Sequence, residues 1–287
     1  LCRPSSARGP ILSTAASPDA HENPMNQIEC YEPAFIRHYR AQHPAAIRQP
    51  LVINWQHEAR CSLLLDDPDC CEAVLGSPEA FVLQVKMTEP VPGVAALPQH
   101  LQVLNQAALD IVTLPDLRLY ALGVMLSYAQ KLPAGSDDAL ETLKSLPQTL
   151  AGYAARGTLA EMFAQLPVIA GPQRLLIGSL GRLPFDWDRL VDCTRKMSLP
   201  LQLSLLALAD TNSEALMQQQ LLDVWAREGQ KAFADRPWIW TNYLVYRLYH
   251  ETFPGQDHQD MLTCYLHLVS DYFLLRSLFS LWLMDGS

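Results

Sequence analysis

The sequence has no dense run of lysine and arginine, and its formal net charge is -9. Phosphate backbones are held by local clusters of cations, so nucleic acid is not an expected partner. The eight histidines, His21, His38, His43, His57, His100, His250, His258 and His267, form neither H-E-x-x-H nor another metal-ligand spacing. A G-x-S-x-G elbow is absent, which removes that hydrolase signature. LLIGSLG, at 175–181, offers G-x-x-G but not the full G-x-G-x-x-G, and no β-α-β alternation surrounds it. Nor does the chain repeat itself at a fixed period of about 20 to 50 residues, which argues against a solenoid.

Paired cysteines are missing as well. Cys2, Cys30, Cys61, Cys70, Cys71, Cys193 and Cys264 are odd in number and scattered, unlike the framework of a small secreted domain, so a reducing cytoplasmic setting is expected. Residues 1–24, LCRPSSARGPILSTAASPDAHENP, lack the apolar run of a signal peptide. They are expected to form a poorly ordered extension, with the folded domain beginning near Met25.

What is present is the material of a packed interior: 49% of the 287 residues are hydrophobic and 18% charged. Apolar residues at helical spacing predict helices near 27–41, 68–76, 98–111, 115–131, 137–154, 158–166, 184–196, 200–209, 212–228, 236–252 and 258–284. The fold class expected is mostly α, a multi-helix globular bundle, with at most a minor extended segment near 80–87, where AFVLQVKM carries β-branched and aromatic residues. A single domain over 25–287 is expected, with 132–136 the soft stretch that would place any boundary near 133. Thr158-x-x-Glu161 and Thr211-x-x-Glu214 have the capping-box form, and Ser136 followed by Asp137 and Asp138 marks another helix start.

DDPDCCEAVLG, at 66–76, concentrates thiols but reads as a helix start: Asp67 as N-cap, Pro68 at the first helical position and Asp69 beside the positive end of the dipole. Adjacent Cys70 and Cys71 point about 100° apart on a helix and cannot easily share one ion. MLTCYLHLVSDYFLLRSLFSLWLM, at 261–284, is as long as a membrane span, yet His267, Asp271 and Arg276 lie inside it, so a buried core helix is expected. Thr263, His267, Ser270 and Asp271 fall on one stripe of that helix, and Arg276 falls opposite, where it needs a carboxylate, a carbonyl, an aromatic face or an anionic ligand. The segment 236–255 gathers Trp238, Trp240, Tyr243, Tyr246, Tyr249 and Phe253 around Asn242, as a core or interaction surface would, or the lining of a ligand pocket.

W-x-N-Y-L-V-x-R-L-Y-x-x-x-F-P at 240–254, followed by CYLHLVSDYFLLRSLF at 264–279, resembles the C-terminal part of bacterial flagellin lysine N-methylases, whose relatives include flagellar biosynthesis proteins. IECYEPAFIRHYRA at 28–41, RCSLLLDDPDCCEAVLGSPEAF at 60–81 and TLPDLRLYALGVMLSYAQKL at 113–132 are similar to the same family in the same order. That family carries two cysteine-rich boxes, resembling iron-sulfur or other metal ligands, between the first two of these stretches. Here the intervening QHPAAIRQPLVINWQHEA, at 42–59, contains no cysteine, and Asp67-Pro68-Asp69 stands where the family has Cys-Pro-Glu. This short form is therefore expected to bind no metal or iron-sulfur cluster.

The resemblance implies a cytoplasmic protein of flagellum biogenesis and motility, without a membrane span, whose partners are flagellin or flagellar export components. If it is an enzyme, it is a protein-lysine N-methyltransferase with S-adenosylmethionine as donor, in which a deprotonated lysine amine attacks the sulfonium methyl in line. The alternative is a non-catalytic helical factor needed for flagellin export or flagellum assembly. No catalytic residue is assigned by the resemblance. By residue type and spacing, Tyr243, Tyr246, Tyr265 and Tyr272 are candidates for a cage around the cation, Asn242 for orienting the amine, and Arg276 for holding a carboxylate of the donor.

Overall fold

The computed structural model describes residues 28–42, 52–55, 58–61, 68–88, 98–133, 136–185, 198–250, 253–254 and 261–284. Strand β1 (Ile28–Pro33) runs directly into helix α1 (Ala34–Gln42). Strands β2 (Val52–Trp55) and β3 (Glu58–Cys61), helix α2 (Pro68–Leu75) and strand β4 (Leu83–Thr88) follow. The sheet order is β2-β3-β1-β4. β1 and β4 are antiparallel, from Ile28 opposite Thr88 to Pro33 opposite Leu83. β2 and β3 are antiparallel, and β1 lies parallel to β3 with Tyr31 opposite Glu58.

The mostly helical class expected from the sequence holds. The extended segment expected near 80–87 is β4, but it does not stand alone, and the helix expected to begin at 27 is a strand as far as Pro33. The physical reason is local and non-local at once. A residue before proline is driven out of the α region, so Glu32 favours extended backbone. The strand's partners, 83–88 and 58–61, are distant in sequence and leave no mark on local periodicity. Helix α1 then begins at Ala34, and the amides of Ala34 and Phe35 donate to the carbonyls of Val82 at 3.0 Å and Ala80 at 2.9 Å, serving donors that have no partner within the helix. Phe35, Ile36, Cys70 and Val74 form a small core between α1 and α2, closed by Tyr246 from far along the chain.

The main core is built by α3 (Gln99–Asp110), α4 (Pro115–Ala129), α5 (Asp137–Ala155), α6 (Thr158–Ala164) and two C-terminal helices. Leu122 and Met125 of α4 are fully buried there, each contributing roughly 1.5–3 kcal/mol of apolar burial. Helices on both sides of residue 133 share this core. Two buried side chains finish helix ends within it. Arg118 donates to the Leu109 carbonyl at 2.9 Å, at the end of α3, and burial lowers its pKa to about 10 against the opposing pull of Asp110. Asn105 donates to the carbonyls of Leu248 and Phe253 at 2.9 and 2.8 Å.

A third core joins α7 (Ala170–Leu180), α8 (Ser198–Leu208) and α9 (Thr211–Val224), which continues as a π-helical turn over Trp225–Gly229 and the short α10 (Gln230–Ala232). Helices α11 (Ile239–His250) and α12 (Met261–Met284) tie the cores together: α11 gives Leu244 to the main core and Tyr246 to the small one, and α12 gives Leu268 to the main core and Leu281 to the third. LLIGSLG is thus helical over most of its length, and a Cβ at Gly181 would sit 2.5 Å from the Leu203 carbonyl. That glycine lets α7 and α8 touch, a packing reason for the pattern.

One capping signal holds as read, and the other two helices have their cap position one residue earlier, at α6 without a side-chain cap. Ser136 accepts from the Ala139 amide at 3.2 Å as expected. α6 is instead capped by Gly157, with φ of 78°, and α9 by Asp210, whose carboxylate accepts from the Ser213 amide at 2.8 Å. The helix expected at 184–196 falls mostly outside the described residues, as do Asp67 and the extension 1–24. No helix among the described residues is long and apolar enough to cross a membrane.

Candidate functional site

Helix α12 carries three of the six candidate residues, and its two halves meet different surroundings. In the C-terminal half, Arg276 donates to the Asp116 carboxylate and lies over the Trp225 ring at 5.0 Å and the Tyr272 ring at 5.6 Å. The partner that its position demanded is thus a carboxylate with two aromatic faces. Tyr272 is buried, and burial first, then Asp116, push its phenol well above the usual range, with Arg276 opposing. Around it, Trp240 makes edge contacts with Trp225, Phe233, Tyr272 and Phe279, at centroid distances between 5.2 and 5.6 Å. Tyr243 lies 6.4 Å from Trp240 and accepts a hydrogen bond of 2.8 Å from Arg247, which also pairs with Asp271 at 2.8 Å.

Asn242 and Tyr246 face the other way on α11. Both hydrogens of the Asn242 amide go to carbonyls at the end of α2, Val74 at 2.9 Å and Ser77 at 2.7 Å, and the indole of Trp238 donates to Leu75 at 3.0 Å beside them. Tyr246 is buried in the small core with Cys70. The thiols of α2 are correspondingly quiet: Cys70 is fully buried, and burial, then Glu72, push the Cys71 thiol up. Among the described residues no group of histidine, cysteine or carboxylate side chains is placed to hold a metal ion.

Tyr265, in the N-terminal half of α12, opens onto a surface groove of about 470 Å3 lined by Tyr120, Gly123, Val124, Ser127, Tyr128, Lys131, Leu166 and Tyr265. The floor is one face of α4, since Tyr120, Val124, Tyr128 and Lys131 recur at helical spacing. Gly123 makes the groove's shape: a Cβ there would lie 2.6 Å from the Tyr265 hydroxyl oxygen, so only a bare backbone lets that ring lie against α4. The hydroxyl donates to the Leu119 carbonyl at 3.0 Å, which fixes the ring, and burial, then Tyr120, raise its pKa and keep it a neutral phenol. Tyr120 packs at a tilt against Phe163, with ring centroids 5.7 Å apart, joining α6 to the wall. Leu166 in its lining is half exposed, and Met162 and Phe163 of α6 and Leu262 and Leu266 of α12 are exposed as well.

The structure therefore gathers Tyr243, Tyr272 and Arg276 around Trp240, places Asn242 and Tyr246 against α2, and sets Tyr265 at the open groove. Tyr120, Gly123, Tyr128 and Lys131 were not among the residues picked out from the sequence. Their only signal there was the spacing of Tyr120, Val124 and Tyr128 within an α4 that is apolar nearly all round. A second cleft, of about 540 Å3, lies between α1, α2 and the segment after α2, with Arg37, His38, Glu72 and Glu79 among its lining residues.

Residues 113–286 match the model of the FliB lysine N-methylase C-terminal domain. The chain is 24% identical over 235 residues to a lysine-N-methylase of Salmonella choleraesuis and 25% identical over 235 residues to one of Salmonella typhimurium. Each alignment covers 78% of this chain and 58% of the relative, so the chain spans little more than half the length of these enzymes. No solved structure matches it.

Proposed function

This chain belongs to the FliB lysine N-methylase family, and from that premise we propose that it serves flagellum biogenesis by methylating flagellin lysines, with S-adenosylmethionine as the donor. The match over 113–286, which takes in the tyrosine groove, α11 and α12, is the observation that carries the reading. The chemistry asks for a neutral lysine amine held in line with a sulfonium methyl in a desolvated setting. Within this proposal Tyr265 and the groove around it meet the protein substrate, Tyr243, Tyr272 and Arg276 pack α12 against its neighbours, and Asn242 and Tyr246 hold α11 against α2. In this reading Arg276 acts as a structural ion pair and not as a clamp for the donor's carboxylate, a part supported by its pairing with Asp116 and its place over the Trp225 and Tyr272 rings.

The test is to incubate the purified chain with flagellin and a methyl-labelled donor and to map label on lysines, with flagellin binding measured in parallel. Label on flagellin lysines is the expected result. Saturable binding without label overturns methyl transfer by this chain and leaves it a factor that binds flagellin.

A further inference from the structure

The groove between α6 and α12 is apolar along its floor and carries a single charged lining residue, Lys131, at the end of α4. Among the described residues no carboxylate pairs with that ammonium. From Tyr120 to Lys131 the floor runs three helical turns, roughly 16 Å at the rise of an α-helix. We propose that this groove docks an amphipathic helix of the protein partner, with apolar side chains one turn apart lying over Val124 and Tyr265 and a carboxylate at the far end meeting Lys131.

Three observations select this occupant. The walls are helices and, among the described residues, no sheet edge borders the groove, so an extended strand would find no backbone partners there, whereas a helix needs only an apolar trough for its side chains. Gly123 lets the Tyr265 ring lie down against α4, and the phenol rings of Tyr120 and Tyr265 line the groove with rigid, amphipathic surface suited to interfaces. Lys131 sets polarity. On a chain of net charge -9, one unpaired cation beside exposed Leu166 and Tyr128 fixes the direction and register of an acidic helix more than its affinity. The same cation disfavours entry of a substrate lysine, so the groove holds the partner while the reacting lysine sits elsewhere. The inference rests on the reading that this chain handles a protein partner, but it concerns recognition and not methyl transfer.

Two hydrocarbon-stapled helical peptides test it, each presenting leucines at i, i+4 and i+7, one with Glu and the other with Lys at i+11. Their binding to the full chain is read by fluorescence anisotropy with no methyl donor present, so a failed methylation assay has no bearing on the result. The Glu peptide is expected to bind saturably and about five- to tenfold more tightly than its Lys twin, the scale of exchanging one exposed attraction for a repulsion. Lys131→Glu should reverse the preference, and Leu166→Glu, at a half-exposed position that tolerates charge without unfolding, should abolish binding of both. Equal affinity for the two peptides, an unchanged preference in Lys131→Glu, unimpaired binding in Leu166→Glu, or no saturable binding to the wild-type chain overturns the proposal.

Discussion

The two halves of α12 show what separates a finished interior from a surface left open. Around Arg276 the charge is met inside the molecule by a carboxylate on α4 and by the rings of Trp225 and Tyr272, and edge-to-face rings close about Trp240, although Arg276 Nε and the Trp240 indole nitrogen are buried without a hydrogen-bond partner among the described residues. Around Tyr265 the hydroxyl is satisfied, but the rings beyond it, the leucines of the rim and the ammonium of Lys131 face outward. Both settings are rich in aromatic residues. Aromatic content alone therefore does not mark a binding site, and the distinction lies in whether the rings pack on one another or are left facing a groove.

The largest effect should come from the closed half. Trp240→Ala removes the ring on which five other aromatic side chains converge, and a loss of about 3–5 kcal/mol is expected in urea denaturation. A much smaller loss would mean that the cluster is loosely packed, and the contrast with the groove would weaken. At the junction with the open half, Gly123→Ala ought to stabilise α4 by propensity, by up to about 1 kcal/mol. The new methyl instead meets the Tyr265 hydroxyl, so a net destabilisation of about 1–2 kcal/mol is expected, with the apolar floor occluded. Adding Tyr265→Phe, which removes the blocking oxygen, should recover part of it. If Gly123→Ala is stabilising, the close approach that shapes the groove is not rigid.

A smaller effect is expected at the ion pair. Asp116→Ala leaves Arg276 stacked but without its carboxylate, and because Asp116 is partly exposed, the loss should be about 1 kcal/mol and not the several expected for a fully buried pair. Arg276→Met combined with Asp116→Ala should be no worse than the single Asp116→Ala change, since the methionine keeps apolar contact with Trp225. A double variant that loses as much as the sum of the two singles would show that the pair is not coupled.

These elements also show where the sequence was readable. The need of Arg276 for a partner followed from its place opposite the polar stripe of α12, because a cation on an apolar face has few alternatives. Which carboxylate answered it did not follow, since Asp116 lies 160 residues away. Helix starts were legible because caps act within one turn, although Asp210 in place of Thr211 shows that adjacent oxygen-bearing side chains compete for one amide. The sheet was mostly hidden: β1 owes its existence to pairing with β3 and β4, and its six residues carry no period that outweighs the helical pattern following Pro33. The groove was hidden for a related reason. Only Tyr265 was singled out from it, because α4 reads as apolar on all sides and nothing local says which side α6 and α12 leave uncovered.

The smallest stability effect should mark the sharpest functional difference. Lys131→Ala removes an exposed ammonium that no carboxylate in the described chain answers, so its effect on stability should stay within about 0.5 kcal/mol. Its effect on recognition should be visible against that flat background: the wild-type preference for an acidic helix should fall as salt is raised, and the variant should show neither the preference nor its salt dependence. A loss of stability comparable to that of Asp116→Ala would instead place Lys131 in the same class as Arg276, a charge held by the fold. The two halves of α12 would then differ only in exposure, since an unanswered charge costs the fold nothing to remove and a partnered one does.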